Sequence, residues 1–380
     1  MECPLDRSLF PVSARWAYLN HAGVCAPPTV VAEAVIAATR ESTEEGSLVV
    51  DAHEERAEGA RGSAAALMGV APDEVAFVKN TTEGLAFVAN GIDWEPGDRV
   101  VVPACEFPSN LFPWLALRDR GVTVDLVRSD GATDALSPEA FAAAISTGRP
   151  PRLVVTSWVQ FGRGYRVDLE AVARLAHQAG ALFCVDAIQA LGVVPAAFDE
   201  WGVDFAAADA HKWLLGPLGV GVMYVRRTRL DDLRPSEPGW ASVADRHNFD
   251  HARLEWDGSA RRYEGGSVNL ALIHGLGAAL DLVLAAGPER VWEHVQGVCD
   301  RAVTRLSEVG AQVVSERAGP GRSGIVTFTV AGRGADEVVS ALRQRGVVGA
   351  PRGGGVRISP HGFNDEEDVE RLVETVAALA

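Results

Sequence analysis

Short apolar runs separated by stretches of helical spacing fill the first two thirds of the chain. Residues 75–78, 99–102, 122–127 and 153–157 are each bounded by turn-forming residues and read as strands. Residues 82–90, 110–118 and 138–145 between them read as helices, as does 169–177 after the fourth strand. Three more strands follow, ending at Asp186, near Ala208 and at Val225. Helices inserted between such apolar strands are crossover connections. The pattern therefore predicts an α/β fold with a mainly parallel sheet covered on both faces. Ligands of these sheets bind beyond the carboxyl ends of the strands. Thr81, Phe107, Ser157, Asp186 and Lys212 all fall at or near such ends, which points to one shared site.

On either side the pattern changes. Residues 29–68 carry helical patterning after Pro27-Pro28, and the chain turns irregular beyond Arg227. A helix over 269–286 is followed by a smaller α+β pattern, with helices near 290–309 and 335–345 and strands near 325–330 and 355–358. A last helix begins at Asp365. The expected organisation is a lead-in over 1–26, a large α/β domain over 27–260 and a small C-terminal α+β domain over 261–380.

Composition narrows the class. With 380 residues, 47% hydrophobic and 23% charged, the chain has material for a sizeable core. Its formal net charge of −16, without a basic block, argues against nucleic acid or an anionic membrane as the main partner. The apolar run 269–287 carries His274 and Asp281 and is too short and polar to span a bilayer. The opening MECPLDRSLF lacks the basic-then-apolar order of a signal peptide. Cys3, Cys25, Cys105, Cys184 and Cys299 are scattered, with neither metal-finger spacing nor a disulfide framework. A soluble protein of the reducing cytoplasm is expected.

The candidate chemistry rests on two residues. An acid at the end of one strand, Asp186, and a lysine just beyond another, Lys212, are what pyridoxal phosphate requires. The lysine holds the cofactor aldehyde as a Schiff base, and the acid keeps the ring nitrogen protonated, so that the ring can accept electrons. Guanidinium groups keep their protons, and the chain has only two lysines, Lys79 and Lys212. Lys79 directly precedes Asn80-Thr81-Thr82-Glu83-Gly84, where a helix N-terminus and the hydroxyls of Thr81 and Thr82 suit a phosphate dianion. Lys212 is therefore the expected Schiff base. His211 beside it is a further candidate for the phosphate cradle.

The segments DAIQALG, GVDF and AHKWLLGPLGVGVMYV resemble the class V aminotransferase group of fold-type I pyridoxal phosphate enzymes. That group includes cysteine desulfurases, selenocysteine lyases and isopenicillin N epimerase-like proteins. The resemblance implies a homodimer with shared active sites, Ser267 of RYEGGSVN reaching the phosphate from the partner subunit. It also implies that Phe107 stacks on the ring in place of the His usual in desulfurases, and that Gln189 bonds the ring's phenolic oxygen. Trp158 stands where desulfurases have Asn, so Gln160 is a candidate to take over that contact. Asp209 stands where they tend to have a phosphate-binding Ser; an acid there repels phosphate unless it points away, toward His211, so Asp209 is left out of the cofactor set. Arg357, with Arg352 as second candidate, matches the segment that forks the substrate carboxylate, and Asn20 of YLNHAG lies in a segment near the substrate.

Desulfurases carry a nucleophilic cysteine just before that arginine segment, whereas residues 347–355 here contain none. The expected activity is β-elimination at a C–S bond without a catalytic cysteine. The features NHAG, EFPSN and HKWLLGP resemble isopenicillin N epimerase-like proteins and keep an epimerase or aminotransferase open. The resemblance to natural-product relatives that decarboxylate or oxidatively deaminate cysteine conjugates keeps a third route open. A non-enzymatic pyridoxal phosphate-binding regulator would usually add a DNA-binding module or lose the lysine. Two further patterns carry no expected function. Gly319 to Gly324 fits G-x-G-x-x-G but precedes a strand. His247 and His251 have helical spacing without a third metal ligand, so no metal is expected.

Overall fold

The computed structural model describes residues 2–129, 131–249 and 253–379. His251 lies outside the described residues. After β1 (Ala17–Tyr18), helices α1 (Thr29–Glu45) and α2 (Val50–Met68) precede the α/β run. That run is β2 (Val75–Val78), α3 (Thr81–Gly91), β3 (Arg99–Pro103), α4 (Phe112–Ala116), β4 (Thr123–Val127), α5 (Pro138–Ile145), β5 (Leu153–Ser157), α6 (Leu169–Gln178), β6 (Leu182–Asp186), β7 (Phe205–Asp209) and β8 (Gly221–Val225). These strands form a seven-stranded sheet in the order β2-β8-β7-β6-β5-β3-β4. Every pairing in it is parallel except those of β8, which runs against both β2 and β7. Strands β2 and β7 therefore point the same way, and their carboxyl ends share an edge with those of β3, β5 and β6.

Alternation along the strands builds two cores, because successive side chains leave opposite faces. Val101, Val154, Phe183, Val185, Ala206 and Val222 pack on one face with Phe141 of α5 and Val172 of α6. Val100, Val102, Val155, Cys184, Phe205 and Met223 pack on the other with Leu85 of α3 and Trp114 of α4. Side-chain caps set where the crossover helices begin. Asn80 accepts from Glu83 N, Ser137 from Ala140 N with Pro138 in the first turn, and Asp168 from Ala171 N.

Helices α7 (Leu270–Ala286) and α8 (Pro288–Glu308) follow, then β9 (Gln312–Val313), β10 (Val326–Thr329), α9 (Ala335–Gln344), β11 (Val347–Val348), β12 (Ala350–Arg352), β13 (Gly355–Ile358) and α10 (Glu366–Ala377). Four of these strands form an antiparallel sheet, β12-β13-β10-β9. Strand β1 pairs in parallel with β11, and Asn20 bridges Ser359, so the lead-in is stitched to this C-terminal unit. Helix α7 follows the expected division at 260/261 yet packs on α1 and α2. We propose that the division lies at Gly287 instead. Among the described residues no single helix is long and apolar enough to cross a membrane.

Candidate active site

A cavity of about 240 Å³ opens where β2, β3, β6 and β7 end. Its lining includes Thr81, Thr82, Phe107, Asp186, Gln189, His211, Lys212, Arg352 and Arg357, residues drawn from both units of the chain. Lys212 is 9% exposed, and its Nζ stands 5.6 Å from the centre of the Phe107 ring. Burial, with lesser repulsion from Arg357 and Arg352, pushes its pKa down from 10.5 to about 8 against the pull of Asp186. Asp186, 2% exposed at the end of β6, moves the opposite way: burial raises its carboxyl, while a hydrogen bond from Ile188 N (3.0 Å) lowers it. Lys79 has a different setting. Its side chain is 70% exposed and paired with Glu83 at 2.5 Å, and it lines a separate cavity.

At the other end of the cavity, the first turn of α3 presents its N–H groups beside two hydroxyls. Thr81 Oγ1 accepts from Asp209 N (2.9 Å), which ties the helix start to the end of β7, and Thr82 donates to Ser109 Oγ (2.8 Å). His211 Nδ1 lies 2.8 Å from Asp209 Oδ1, yet the angle makes no hydrogen bond, leaving both atoms buried without one. Asp209 thus does sit against His211, the condition set for it above.

The remaining candidates divide. Gln189 lines the cavity, but its amide already donates to Ala22 O (3.0 Å) and accepts from Trp213 Nε1 (3.1 Å). Phe107 meets Phe161 edge-on at 5.3 Å, both on the cavity wall. Arg357 is 3% exposed and donates from Nη1 to Phe161 O (2.7 Å), while Arg352 is exposed at the rim. Asn20 does not line the cavity; it stands behind Gly23, where an added Cβ would meet its amide at 2.7 Å.

One expected contact is not made, and that of Ser267 is expected only from the partner subunit. Gln160 is held away from the cavity because Nε2 donates to Glu106 Oε1 (2.9 Å) and Oε1 faces Cys105 Sγ (3.6 Å). Trp158 turns into the core against Phe198 and Trp201. Ser267 lies instead beside Lys79, Glu83 and Glu237 in a cavity of about 510 Å³.

Glu106 escaped the sequence reading. This buried carboxylate accepts from Ser157 N (2.6 Å), from the Ser157 hydroxyl and from Gln160 Nε2, and burial raises its pKa. It fastens the turn carrying Phe107 to the end of β5. Its signal was available: an acid beside apolar strand ends is there for a reason when buried, but a lone Glu in a loop does not announce its burial.

The sequence model of the class-V aminotransferases matches residues 17–372. This chain belongs to that family. As a class-V aminotransferase it is a pyridoxal phosphate enzyme of fold type I. An uncharacterized aminotransferase of Bacillus subtilis is 31% identical over 324 residues, covering 85% of this chain and 84% of that protein. A protein of Methanothermobacter thermautotrophicus named a probable cysteine desulfurase is 30% identical over 341 residues, covering 84% and 83%. Among solved structures, the apo cysteine desulfurase of Thermococcus onnurineus superposes with a TM-score of 0.89 at 24% identity, covering 100% of this chain and 98% of that one. A cystine C–S lyase bound to its product, cysteine persulfide, gives 0.88 at 24% identity, covering 97% and 99%. Both structural likenesses establish the fold of this class-V aminotransferase.

Proposed function

We propose that this enzyme is a lyase that breaks the Cβ–S bond of a cysteine-type amino acid by elimination, without a nucleophilic cysteine. Lys212 carries the reading: it is a buried primary amine, held below the ordinary lysine range, in one cavity with a buried carboxylate and a buried guanidinium. Pyridoxal phosphate, when bound, supplies an aldehyde for amines and a ring that accepts electrons. The residues present fit it. Lys212 would hold the aldehyde, Asp186 would pair with the ring nitrogen and Phe107 would cover the ring. The open first turn of α3, with Thr81, Thr82 and His211, is suited to the phosphate. Gln189 keeps an N–H for the ring oxygen, and Arg357 takes the substrate carboxylate.

With its amine free, Lys212 Nζ would take the proton from the substrate Cα. The Cβ–S bond then breaks with its electron pair going to sulfur, and with one water consumed the products are a thiol, pyruvate and ammonia. The thiol-free reading is supported by the cavity wall, on which no described residue is a cysteine. Burial pushes the thiols of Cys25 and Cys105 up to about 12 and raises that of Cys184 well above its ordinary value, unsuited to nucleophilic attack.

Incubation of the holoenzyme with cysteine S-conjugates tests this. Pyruvate with ammonia supports elimination. A new amino acid formed from an added 2-oxo acid makes it an aminotransferase, and solvent deuterium at Cα with racemisation makes it an epimerase. A protein-bound persulfide formed from free cysteine would replace the thiol-free reading with desulfuration.

We also propose a homodimer with shared sites, because Ser267 is not brought to the Lys212 cavity by its own chain. Mixing Lys212→Ala with Ser267→Ala chains should restore activity above either variant alone, and light scattering should give twice the chain mass. The cytoplasm is the proposed compartment, in keeping with five free thiols.

A further inference from the structure

We propose that the substrate bears a second acidic group beyond its α-carboxylate, and that Arg352 receives it. The inference rests on Arg357 taking the α-carboxylate as read above. Strands β12 and β13 pair Ala350 with Arg357 and Arg352 with Gly355, which puts both arginines on one face of the hairpin as diagonal neighbours. Such neighbours lie roughly 7–8 Å apart at their backbones. Both line the Lys212 cavity.

The hairpin is fixed in place. Gly353 and Gly354 close its turn with φ of 62° and 78°. Arg163 Nε donates to Gly353 O at 3.0 Å, and a Cβ on Gly353 would meet Gly162 O at 2.5 Å. Gly355, opposite Arg352, lets β10 approach closely, because a Cβ there would run into the Phe328 carbonyl.

Charge makes the pair conspicuous. The chain has 51 acidic residues against 35 lysines and arginines, and arginines such as Arg7, Arg61, Arg99 and Arg305 each hold a carboxylate. Arg352 and Arg357 donate only to carbonyls, of Pro351 (2.8 Å) and Phe161 (2.7 Å), and neither makes an ion pair among the described residues. Arg357 Nε is buried without a partner. Burial and then Arg352 push Arg357 down to about 10; a carboxylate forked by Arg357 uses that guanidinium and leaves the one on Arg352 without a carboxylate of its own. The cofactor phosphate does not answer it, since its expected cradle is at the α3 end. Beyond Phe107 the wall continues as Phe161, whose carbonyl Arg357 holds, and that ring suits a short apolar or thioether spacer. The substrate class is therefore an amino acid joined through sulfur to a short acid-bearing substituent.

Two readouts separate this inference from the elimination reading. Binding of 2-aminoadipate and of its 6-amide to the holoenzyme is measured by calorimetry; these probes contain no sulfur to expel. Turnover of S-carboxymethylcysteine and S-carbamoylmethylcysteine is followed by pyruvate release. The acid probe should bind on the order of fivefold tighter than the amide, the scale of one exposed charge pair. Arg352→Gln should bring that ratio to about one, and Arg352→Lys should keep part of it. A wild-type ratio near one, or a ratio untouched by Arg352→Gln, overturns the second-anion site even if both conjugates yield pyruvate. A preserved pattern of binding without pyruvate sustains the site and sinks elimination.

Discussion

Two lysines in the whole chain make the amine chemistry of this protein unusually clean to measure. The perturbation is a pH series of short cyanate pulses on cofactor-free protein, with carbamylation of Lys79 and Lys212 quantified by peptide mass spectrometry. Lys212 has a pKa near 8, because burial penalises the ammonium; Lys79 is raised above its ordinary 10.5, first by its hydrogen bond to Glu83. The sign is that a lowered amine pKa frees the reactive base at lower pH. At pH 8 about half of Lys212 is neutral, whereas an amine at 10.5 is roughly 0.3% neutral, a ratio on the order of a hundred. Restricted access lowers the absolute rate at Lys212 but not the midpoint of its profile. The expected result is a Lys212 profile with its midpoint near 8 and a Lys79 profile still climbing above 10. Asp186→Asn should move the Lys212 midpoint lower still, since the Asp186 charge is what holds it up. Coincident profiles for the two lysines would refute the argument that burial tunes this amine.

Other perturbations reach different parts of the site. Arg357→Gln should raise KM for an amino acid substrate by roughly tenfold to a hundredfold, the worth of a charge-assisted hydrogen bond, with a smaller change in kcat; a change in kcat alone would contradict a binding role. Glu106→Leu leaves the Ser157 N–H and the Gln160 amide without their buried acceptor and should lower stability by at least about 2 kcal/mol in urea denaturation. Equal stability would mean that those donors find water. Gly84→Ala would set a Cβ 2.7 Å from that of Ala207, so α3 must lift from β7 and carry Thr81 off Asp209 N. Cofactor affinity, read by equilibrium dialysis, should fall several-fold while the far-ultraviolet dichroism holds.

The parts that could be read from the sequence share one property: each is carried by apolar periodicity or by a residue type with few alternatives. Leu153–Ser157 and Pro138–Ile145 are found within the bounds that their patterns predict, and the rule that sites gather at strand ends brings Thr81, Phe107, Asp186 and Lys212 to one cavity, but not Ser157, which is bonded to Glu106 instead. Strand direction is a separate matter, since alternation is the same either way. The reversal of β8 could have been drawn from the short link between Asp209 and Gly221, which leaves little room for the crossover that a parallel partner needs. Strands β9, β11 and β12 are two or three residues long and carry no period to detect. Gln160 went astray for an electrostatic reason: a buried Glu106 outcompetes the cavity for its amide. Helix α7 was assigned by chain order, whereas its apolar surface belongs with α1 and α2.

The cavity wall takes residues from Ala22 to Arg357, and the lead-in is bonded to Ser359. A ribosome that has made only the seven-stranded sheet has produced the amine and the acid but not the far wall. Substrate capture must therefore wait until the β12–β13 hairpin, which carries Arg352 and Arg357, has cleared the exit tunnel. A nascent chain arrested before that hairpin should show no turnover.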